Sequence, residues 1–142
     1  MTIGRIIGER SREVISCQAA TPVREAVSIL SERRIGALPV LDGDTVAGIF
    51  SERDVIHQLK AHGPAMLERT VGEAMTAPAI TVTPETTVLE ALGLMTRRRI
   101  RHLPVVVDGR IVDFVSIGDL VKYRIDHIQS EAEALRVYIQ TA

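Results

Sequence analysis

Two distant segments of the chain carry hydrophobic residues at the spacing of an amphipathic helix. In residues 22–33 and again in residues 87–98, apolar side chains stand at positions i, i+3, i+4 and i+7, which places them on one helix face. These positions are Val23, Ala26, Val27 and Leu30 in the first segment, and Val88, Ala91, Leu92 and Met95 in the second. The pattern predicts two helices, each with one buried face.

Each predicted helix is followed by two apolar runs with a glycine between them. The runs are ALPVLD and TVAGIF around Gly43, and HLPVVV and RIVDFV around Gly109, a pattern typical of β-hairpins. Short extended segments are predicted at residues 14–17 and 79–82, and a further helix after each hairpin, beginning at Ser51 or Ser116. The apolar residues of these further helices are expected to face inward: Val55, Ile56, Leu59, Leu120, Val121 and Ile125. Each unit is therefore strand–helix–strand–strand–helix.

The two units are copies of one another at a separation of 65 residues. Residues 15–60 align with residues 80–125 without a gap, and 13 of the 46 aligned pairs are identical. The identities include Ser51 and Asp54, which recur as Ser116 and Asp119, and the opening segment 3–7 resembles 71–75. Because a unit of about 60 residues buries little apolar surface alone, we expect the two repeats to pack together.

Composition and charge exclude several classes of protein. The 142 residues are 46% hydrophobic and 25% charged, which predicts one ordinary globular domain or two small ones. A net charge of −1 argues against general nucleic-acid binding, and no apolar run approaches the roughly 18 residues of a membrane-spanning helix. We expect a cytoplasmic protein with neither a membrane nor a nucleic-acid partner. The single cysteine, Cys17, is expected to be a small buried hydrophobe.

The Ser-x-x-Asp sequences have two interpretations that do not exclude each other. In a capping box, the serine hydroxyl and the acidic side chain each accept a hydrogen bond from the other residue's backbone N–H. The same helix start offers unpaired N–H groups and a positive dipole end to a phosphate, and a carboxylate one turn later accepts hydrogen bonds from ribose hydroxyls. Because the chain contains this sequence twice, we keep two hypotheses for it, a helix cap and a binding site for a nucleoside phosphate.

The repeat order, the Leu-Pro-Val strands and a Gly-h-h-Ser-x-x-Asp signature, where h is hydrophobic, resemble a tandem pair of CBS (cystathionine β-synthase) domains, known as a Bateman module. The resemblance covers residues 2–128 and is greatest to small stand-alone bacterial CBS-pair proteins. It implies an α/β (α+β) fold of two β-α-β-β-α repeats, packed through their sheets with pseudo-two-fold symmetry. The domains are expected at 2–62 and 67–128, with a helical extension at 129–142.

The same resemblance implies a function. It indicates a non-catalytic regulatory protein that binds an adenosine nucleotide, with AMP, ADP, ATP, NAD or S-adenosylmethionine among the possible ligands. It also implies a homodimer that signals to a regulated protein whose identity the sequence does not give.

Carried over by position, the resemblance implies two clefts between the repeats. In the family, one repeat frames the adenine, the other supplies the ribose aspartate, and basic residues before the Leu-Pro strand reach the phosphates. One cleft then combines Ile15, Ile35, Gly36 and Ala37 with Arg101, His102, Ser116 and Asp119. The other combines Ile80, Ile100 and Arg101 with Ser51 and Asp54, has Arg53 as its main cation, and Pro104 completes the expected ligand-binding residues. On this assignment the Asp119 cleft holds most of the positive charge for phosphate.

The two repeats differ at one signature position and share one basic pair. Asp113 stands in the second repeat where the first has Gly48, so a side chain is placed where family members usually have none. The pairs Arg33-Arg34 and Arg98-Arg99 recur and are expected to have a structural or interface role.

Other functions are weighed against the nucleotide-binding hypothesis. A structural dimerisation module with degenerate sites conflicts with the intact Ser and Asp of both repeats. A nucleotide-hydrolysing enzyme built on Ser51 and His57 is disfavoured, because these residues lie about 9 Å apart along a helix axis, too far for a nucleophile–base hydrogen bond. His57 and His62 do not share a helix face, so no metal site is expected.

The apolar stripe of residues 120–139 leaves two interpretations open. Either the terminal helix docks on its own domain, or it packs on a second subunit of a two-fold dimer. The stripe comprises Leu120, Ile125, Ile128, Leu135 and Ile139.

Overall fold

The computed structural model describes residues 1–8 and 13–141, and within them it has six α-helices and five β-strands. The first repeat consists of β1 (Cys17–Gln18), α2 (Val23–Arg33), β2 (Ala37–Asp42), β3 (Thr45–Ser51) and α3 (Glu52–His62). The second consists of α5 (Val88–Arg98), β4 (His102–Val107), β5 (Arg110–Ser116) and α6 (Ile117–Thr141). Helix α1 (Ile3–Gly8) precedes the first repeat, and a 3₁₀ segment (Gly63–Glu68) and α4 (Val71–Ala74) lie between the two repeats. The predicted α/β fold is confirmed; residue 142 of the expected extension lies outside the described residues.

The strands of both repeats form one sheet in the order β1-β2-β3-β5-β4. Each hairpin is antiparallel and turns at a glycine with positive φ, Gly43 or Gly109, and the hairpins join at the pair Thr45–Arg110. The parallel pair Cys17–Val40 recurs 65 residues later as a bridge between Val82 and Val105. The repeats are thus related by pseudo-symmetry, although the first strand of the second repeat is reduced to that bridge.

Helices α2 and α5 bury the predicted stripes and end in the same way. In α2, Val23 and Ala26 are fully buried, and in α5 Ala91 and Met95 are buried to within 1%. Both helices stop at an arginine in the left-handed conformation, with φ of 53° at Arg34 and 54° at Arg99. These C-caps turn the chain toward β2 and β4, so each arginine lies a few residues before the start of the next strand.

The two short helices α1 and α4 pack on opposite repeats. Ile3 and Ile6 of α1 lie in the core of the second repeat, whereas Val71 and Ala74 of α4 lie in the core of the first. Equivalent hydrogen bonds hold them: Ile3 N donates to the Thr86 carbonyl over 2.9 Å, and Val71 N donates to the Thr21 carbonyl over 2.8 Å. The sequence similarity of 3–7 and 71–75 therefore marks equivalent elements that are exchanged between the repeats.

The inward orientation predicted for the helices after the hairpins is wrong for most of the residues named. Leu120 is fully buried, but Ile56 is 67% exposed, and Leu59, Val121 and Ile125 are also exposed. Docking of the terminal helix on its own domain is wrong as well, because every described residue from 128 onward is exposed. Each of these helices contacts its core through only one of the named residues, Val55 in α3 and Leu120 in α6, and the other named side chains face outward.

None of the helices within residues 1–8 and 13–141 combines the length and apolar character needed to cross a bilayer.

Candidate functional site

Two clefts lie between the repeats, one on each side of the junction at Gly36, Ala37 and His102. The Asp54 cleft has a volume of about 470 Å³ and the Asp119 cleft one of about 310 Å³. Both volumes fall in the range of small-molecule sites, which runs from about 300 to 1,000 Å³. Each cleft takes its aspartate from one repeat and the extended segment before the first strand from the other.

The Asp54 carboxylate is held in a fixed position at the start of α3. Its Oδ2 accepts hydrogen bonds from the Ser51 backbone N–H (2.9 Å) and the Ser51 hydroxyl (3.1 Å), and Asp54 N donates in return to Ser51 Oγ (3.4 Å). Its Oδ1 accepts a hydrogen bond from Thr76 Oγ1 (2.8 Å). Three of the roughly four acceptor positions of the carboxylate are thereby used. The capping box predicted from the sequence is formed, and one acceptor position remains for a ligand hydroxyl.

Gly48 allows the segment that carries Thr76 to cross β3. Ile49 and Thr76 exchange two backbone hydrogen bonds, of 3.0 and 2.9 Å. A Cβ added at Gly48 would lie 2.6 Å from the Thr76 carbonyl oxygen and 2.7 Å from Met75 Sδ, closer than real Cβ atoms approach. The glycine of the signature is therefore required by this crossing, which places Thr76 against Asp54.

Arginine side chains line the Asp54 cleft. They are Arg53 from α3, Arg99 from the end of α5, and Arg101 from the start of β4. Arg101 was expected in both clefts, with the Asp119 cleft holding most of the cations, but the described lining of the Asp119 cleft does not include it. Arg99 was not predicted as a cleft residue; the sequence signal was its recurrence with Arg34, which occupies the equivalent corner of the Asp119 cleft.

The Asp119 cleft has a different set of charges. Ser116 and Asp119 repeat the cap, with the Ser116 N–H donating to Asp119 Oδ2 (2.9 Å) and Asp119 N to Ser116 Oγ (3.1 Å). Two further carboxylates, Glu13 and Asp113, line this cleft together with Arg34. Asp113 is 3% exposed and accepts a hydrogen bond from the Phe114 N–H through Oδ1 (2.6 Å). The residue that replaces the signature glycine thus adds a carboxylate to the cleft.

His102 borders both clefts. Its ring stacks on Phe114, with centroids 5.3 Å apart and an angle of 11° between the planes. Burial lowers the pKa of His102, an effect that Arg101 strengthens and that Asp119 and Glu52 oppose. At neutral pH the imidazole is therefore uncharged and acts as a flat wall that both clefts share.

The remaining predicted residues divide between the clefts, with one exception. Ile15 and Ile35 line the Asp119 cleft, and Ile80 and Ile100 line the Asp54 cleft. Pro104 lines neither of them; it is buried in β4, where its carbonyl accepts a hydrogen bond from Val82 N (3.0 Å). Sequence reasoning missed further lining residues, among them Glu13, Val14, Ile49, Glu52, Ile56, Thr76, Pro78, Ala79 and Phe114.

Ile15 and Ile80, in the extended segments, each line one of the clefts. Within the described parts of the chain, the N–H and C=O groups of these two residues make no hydrogen bond to other backbone groups. A ligand base lying in either cleft can pair with them, since backbone groups require partners when they become buried.

The described residues contain no group of three or more His, Cys, Asp or Glu side chains that could hold a metal ion.

The family model that describes the CBS domain matches the chain twice, at residues 4–61 and 71–126. The chain belongs to the CBS-domain family. Among curated relatives, this CBS pair is 39% identical over 129 residues to the mitochondrial CBS domain-containing protein CBSX3 of Arabidopsis thaliana. The alignment covers 87% of this chain and 63% of that protein, so the chain spans less than two thirds of the relative's length.

Solved structures of CBS-domain proteins have the same fold. The CBS-domain protein ATU1752 of Agrobacterium tumefaciens is 34% identical with a TM-score of 0.80, covering 87% of this chain and 92% of that one. The structure of CBSX2 in complex with AMP is 26% identical with a TM-score of 0.74, covering 88% and 96%. The predicted tandem CBS pair and its fold are confirmed.

Proposed function

We propose that this CBS pair is a regulatory, non-catalytic protein that binds an adenine nucleotide (AMP, ADP, ATP or NAD) in the Asp54 cleft and reports its concentration to a regulated protein in the cytoplasm. The observation that carries the proposal is a fixed carboxylate that shares one cleft of about 470 Å³ with three arginines. A nucleoside phosphate needs both parts, because ribose hydroxyls donate hydrogen bonds and phosphate oxygens accept them.

The residues of the cleft suggest one orientation for the nucleotide. One ribose hydroxyl donates to Asp54, the phosphates face Arg99 and Arg101, and the adenine lies beside the backbone of Ile80. The structure of CBSX2 in complex with AMP supports this ligand class, since it is a related CBS protein bound to an adenine nucleotide.

The Asp119 cleft is proposed to bind the adenosine part of a ligand with less dependence on phosphate. Asp119 forms a helix cap with Ser116 and shares its cleft with Ile15, as Asp54 shares its cleft with Ile80. Among its described lining residues, Arg34 is the one arginine, and His102 contributes an uncharged ring because burial lowers its pKa. This cleft therefore has fewer cations to bind phosphate than the Asp54 cleft, which has three arginines.

The absence of catalysis is proposed because Ser51 and Asp54 are engaged with each other at the helix cap. The serine hydroxyl donates to the carboxylate and also accepts from the Asp54 N–H, an arrangement that stabilises a helix start. Incubation of the protein with ATP or NAD, followed by chromatography, is expected to yield no product.

We also propose a homodimer. The helices that follow the hairpins expose three apolar side chains: Ile56 (67%), Leu59 (46%) and Val121 (42%). Exposed apolar side chains on neighbouring surface helices favour burial against a second copy. Light scattering should give about twice the chain mass of 15.6 kDa. A mass near 15.6 kDa across micromolar concentrations would contradict it.

Isothermal titration calorimetry on a set of variants tests the ligand assignment. Asp54→Ala should weaken both AMP and adenosine in the Asp54 cleft, because it removes the hydrogen bond from a ribose hydroxyl to a charged group. The matched control is Glu90→Ala. Glu90 closes an equivalent capping box with Thr87 at the start of α5, outside both clefts, so this variant loses a cap without losing a ligand contact.

Arg101→Ala separates the phosphate from the adenosine contacts. A charge-assisted hydrogen bond contributes about 1.5–3 kcal/mol, so AMP binding should weaken about 10- to 150-fold while adenosine changes little. If Asp54→Ala and Asp119→Ala both leave the titration unchanged, Ser-x-x-Asp is a helix cap only and the proposed function is wrong.

A further inference from the structure

The last helix continues far beyond the domain that it begins on. Helix α6 has 25 residues, and after Leu120, its one fully buried residue, none of its described side chains is buried. Helices in proteins owe most of their stability to packing of an apolar face, and an unpacked end of this length is marginal in water. We therefore expect the exposed end of α6 to pack against a partner.

Six exposed apolar residues of α6 form one narrow seam, whereas Val137 and Tyr138 lie outside it. The six seam residues recur at alternating intervals of four and three residues, which is the spacing of a heptad repeat. At 3.6 residues per turn, all of them fall within about 40° of one line along the helix. The seam consists of Val121, Ile125, Ile128, Ala132, Leu135 and Ile139. It runs about 27 Å along the axis, from beside the globular domain to the end of the helix.

The residues at the end of the seam favour two strands. In heptad terms Ile125, Ala132 and Ile139 occupy position a, and Leu135 occupies position d. Among parallel coiled coils, Ile at a combined with Leu at d favours two strands, whereas Ile at both positions favours three or four. Position d is also held by Val121 and Ile128, and Ile125 with Ile128 is the second combination, so the preference for two strands rests on Leu135 and the neighbouring Ile139.

The charges beside the seam select the same orientation. In a parallel pair, Glu131 at position g faces Arg136 at position e of the other copy, and symmetry makes this attractive contact twice. In an antiparallel pair centred on this region, Glu131 faces Glu131 of the other copy, which is repulsive. Within one helix, Glu131 pairs with His127 (2.9 Å) and Arg136 with Glu133 (3.0 Å). Both partners lie further from the seam, so Glu131 and Arg136 exchange them for each other when the parallel pair forms.

We infer that the seam of α6 pairs with the same seam of a second copy as a parallel, in-register two-stranded coiled coil. This inference rests on the proposed homodimer and goes beyond it, since it names the contact and its direction. It places both CBS pairs at the same end of the coil, with the exposed Val121 of each copy at the point where coil and domain meet.

Single cysteine variants of the full chain test the register. Ile128→Cys and Leu135→Cys should each form an intermolecular disulfide with a mild added oxidant, because in-register seam residues face their own copies at a separation that a disulfide spans. The matched control is Val137→Cys, which is similarly exposed but lies on the opposite side of the helix. The unmodified chain controls for Cys17, which is buried.

Glutamate variants test the contribution of the seam to association. Leu135→Glu removes two apolar side chains per dimer and should raise the dimer Kd about 100-fold or more in sedimentation measurements. Val137→Glu should leave the dimer Kd nearly unchanged. Leu135 is 59% exposed in the single chain, so its substitution does not open a core, and AMP binding is expected to be the same in both variants.

Each outcome supports or overturns a distinct statement. Cross-linking at 128 and 135 but not at 137, with a dimer Kd raised by Leu135→Glu alone, supports the parallel coil. Cross-linking at neither seam position or equally at all three positions overturns it, as does a dimer that tolerates Leu135→Glu as it tolerates Val137→Glu. A wild-type chain that remains monomeric overturns the coil and the homodimer together. Nucleotide titration of that monomer still tests the binding proposal separately.

Discussion

Replacement of Gly48 by alanine directly tests how the Asp54 cleft is assembled. The new Cβ would stand 2.6 Å from the Thr76 carbonyl oxygen and 2.7 Å from Met75 Sδ. The methionine can change rotamer, but the carbonyl is fixed because it accepts a hydrogen bond from Ile49 N over 3.0 Å. The overlap is therefore relieved only by moving the crossing segment away from β3.

The cost follows from the contacts that such a movement breaks. Overpacking in a filled site costs about 1–3 kcal/mol. Each of the two Ile49–Thr76 backbone hydrogen bonds contributes about 0.5–1.5 kcal/mol. A partial loss of both gives a decrease of about 2–4 kcal/mol in the free energy of unfolding. With a urea m-value of about 2 kcal/mol/M for a chain of this size, the midpoint should fall by about 1–2 M.

Urea unfolding followed by circular dichroism measures this decrease, and AMP calorimetry measures its effect on the cleft. Because Thr76 moves with the segment, Asp54 loses its hydrogen bond on Oδ1, and binding in the Asp54 cleft should weaken. Gly118→Ala is the control: its Cβ meets only Ser116 Oγ at 3.6 Å among the described atoms, and alanine in a helix should add about 0.5–1 kcal/mol. A Gly48→Ala midpoint equal to that of the wild type would refute the reasoning.

Three further predictions concern selectivity and titration. Guanine mispairs with the backbone beside Ile15 and Ile80, at about 1–3 kcal/mol, so calorimetry should show GMP binding about 5- to 150-fold more weakly than AMP; equal affinities would contradict this. Since burial lowers the pKa of His102, the unfolded chain binds more protons than the folded one just below the ordinary value of about 6.5, and stability should fall as the pH drops through that window. Urea midpoints for His102→Gln should lose this acid-side decrease, and an identical pH profile would count against it. Burial also raises the pKa of Cys17 to about 11, so a thiol reagent at pH 8 should label the native chain much more slowly than the urea-unfolded chain; similar rates would show that the thiol is accessible.

Local pattern was sufficient to predict the repeat and its elements. The stripes of α2 and α5, the hairpin glycines and the helix starts at Ser51 and Ser116 depend on residues close in sequence, and all have the predicted structure. Each repeat also supported the other, because an element found in one copy was expected 65 residues away.

The errors concern relations between distant parts of the chain. The position that holds Arg101 corresponds to Gly36, which borders both clefts, so spacing along the chain does not determine which cleft its side chain enters. Ile56 and Ile125 are apolar at helical spacing, yet spacing does not show whether the chain itself covers that face. The exchange of α1 and α4 depends on contacts across the repeats. The similarity of the two segments indicates that they are equivalent, but not which repeat each of them packs against.

The exchange of α1 and α4 imposes an order on folding during synthesis. All the residues that form the first core lie between Cys17 and Ala74, so that core can close as soon as this stretch has left the ribosome. Helix α1 is made before any of it, but the carbonyl that receives the Gly4 N–H belongs to Pro84, and the core that covers Ile3 includes Leu120. Helix α1 is therefore made before the core that it joins, and Ile3 and Ile6 remain available to chaperones until the second repeat has been translated.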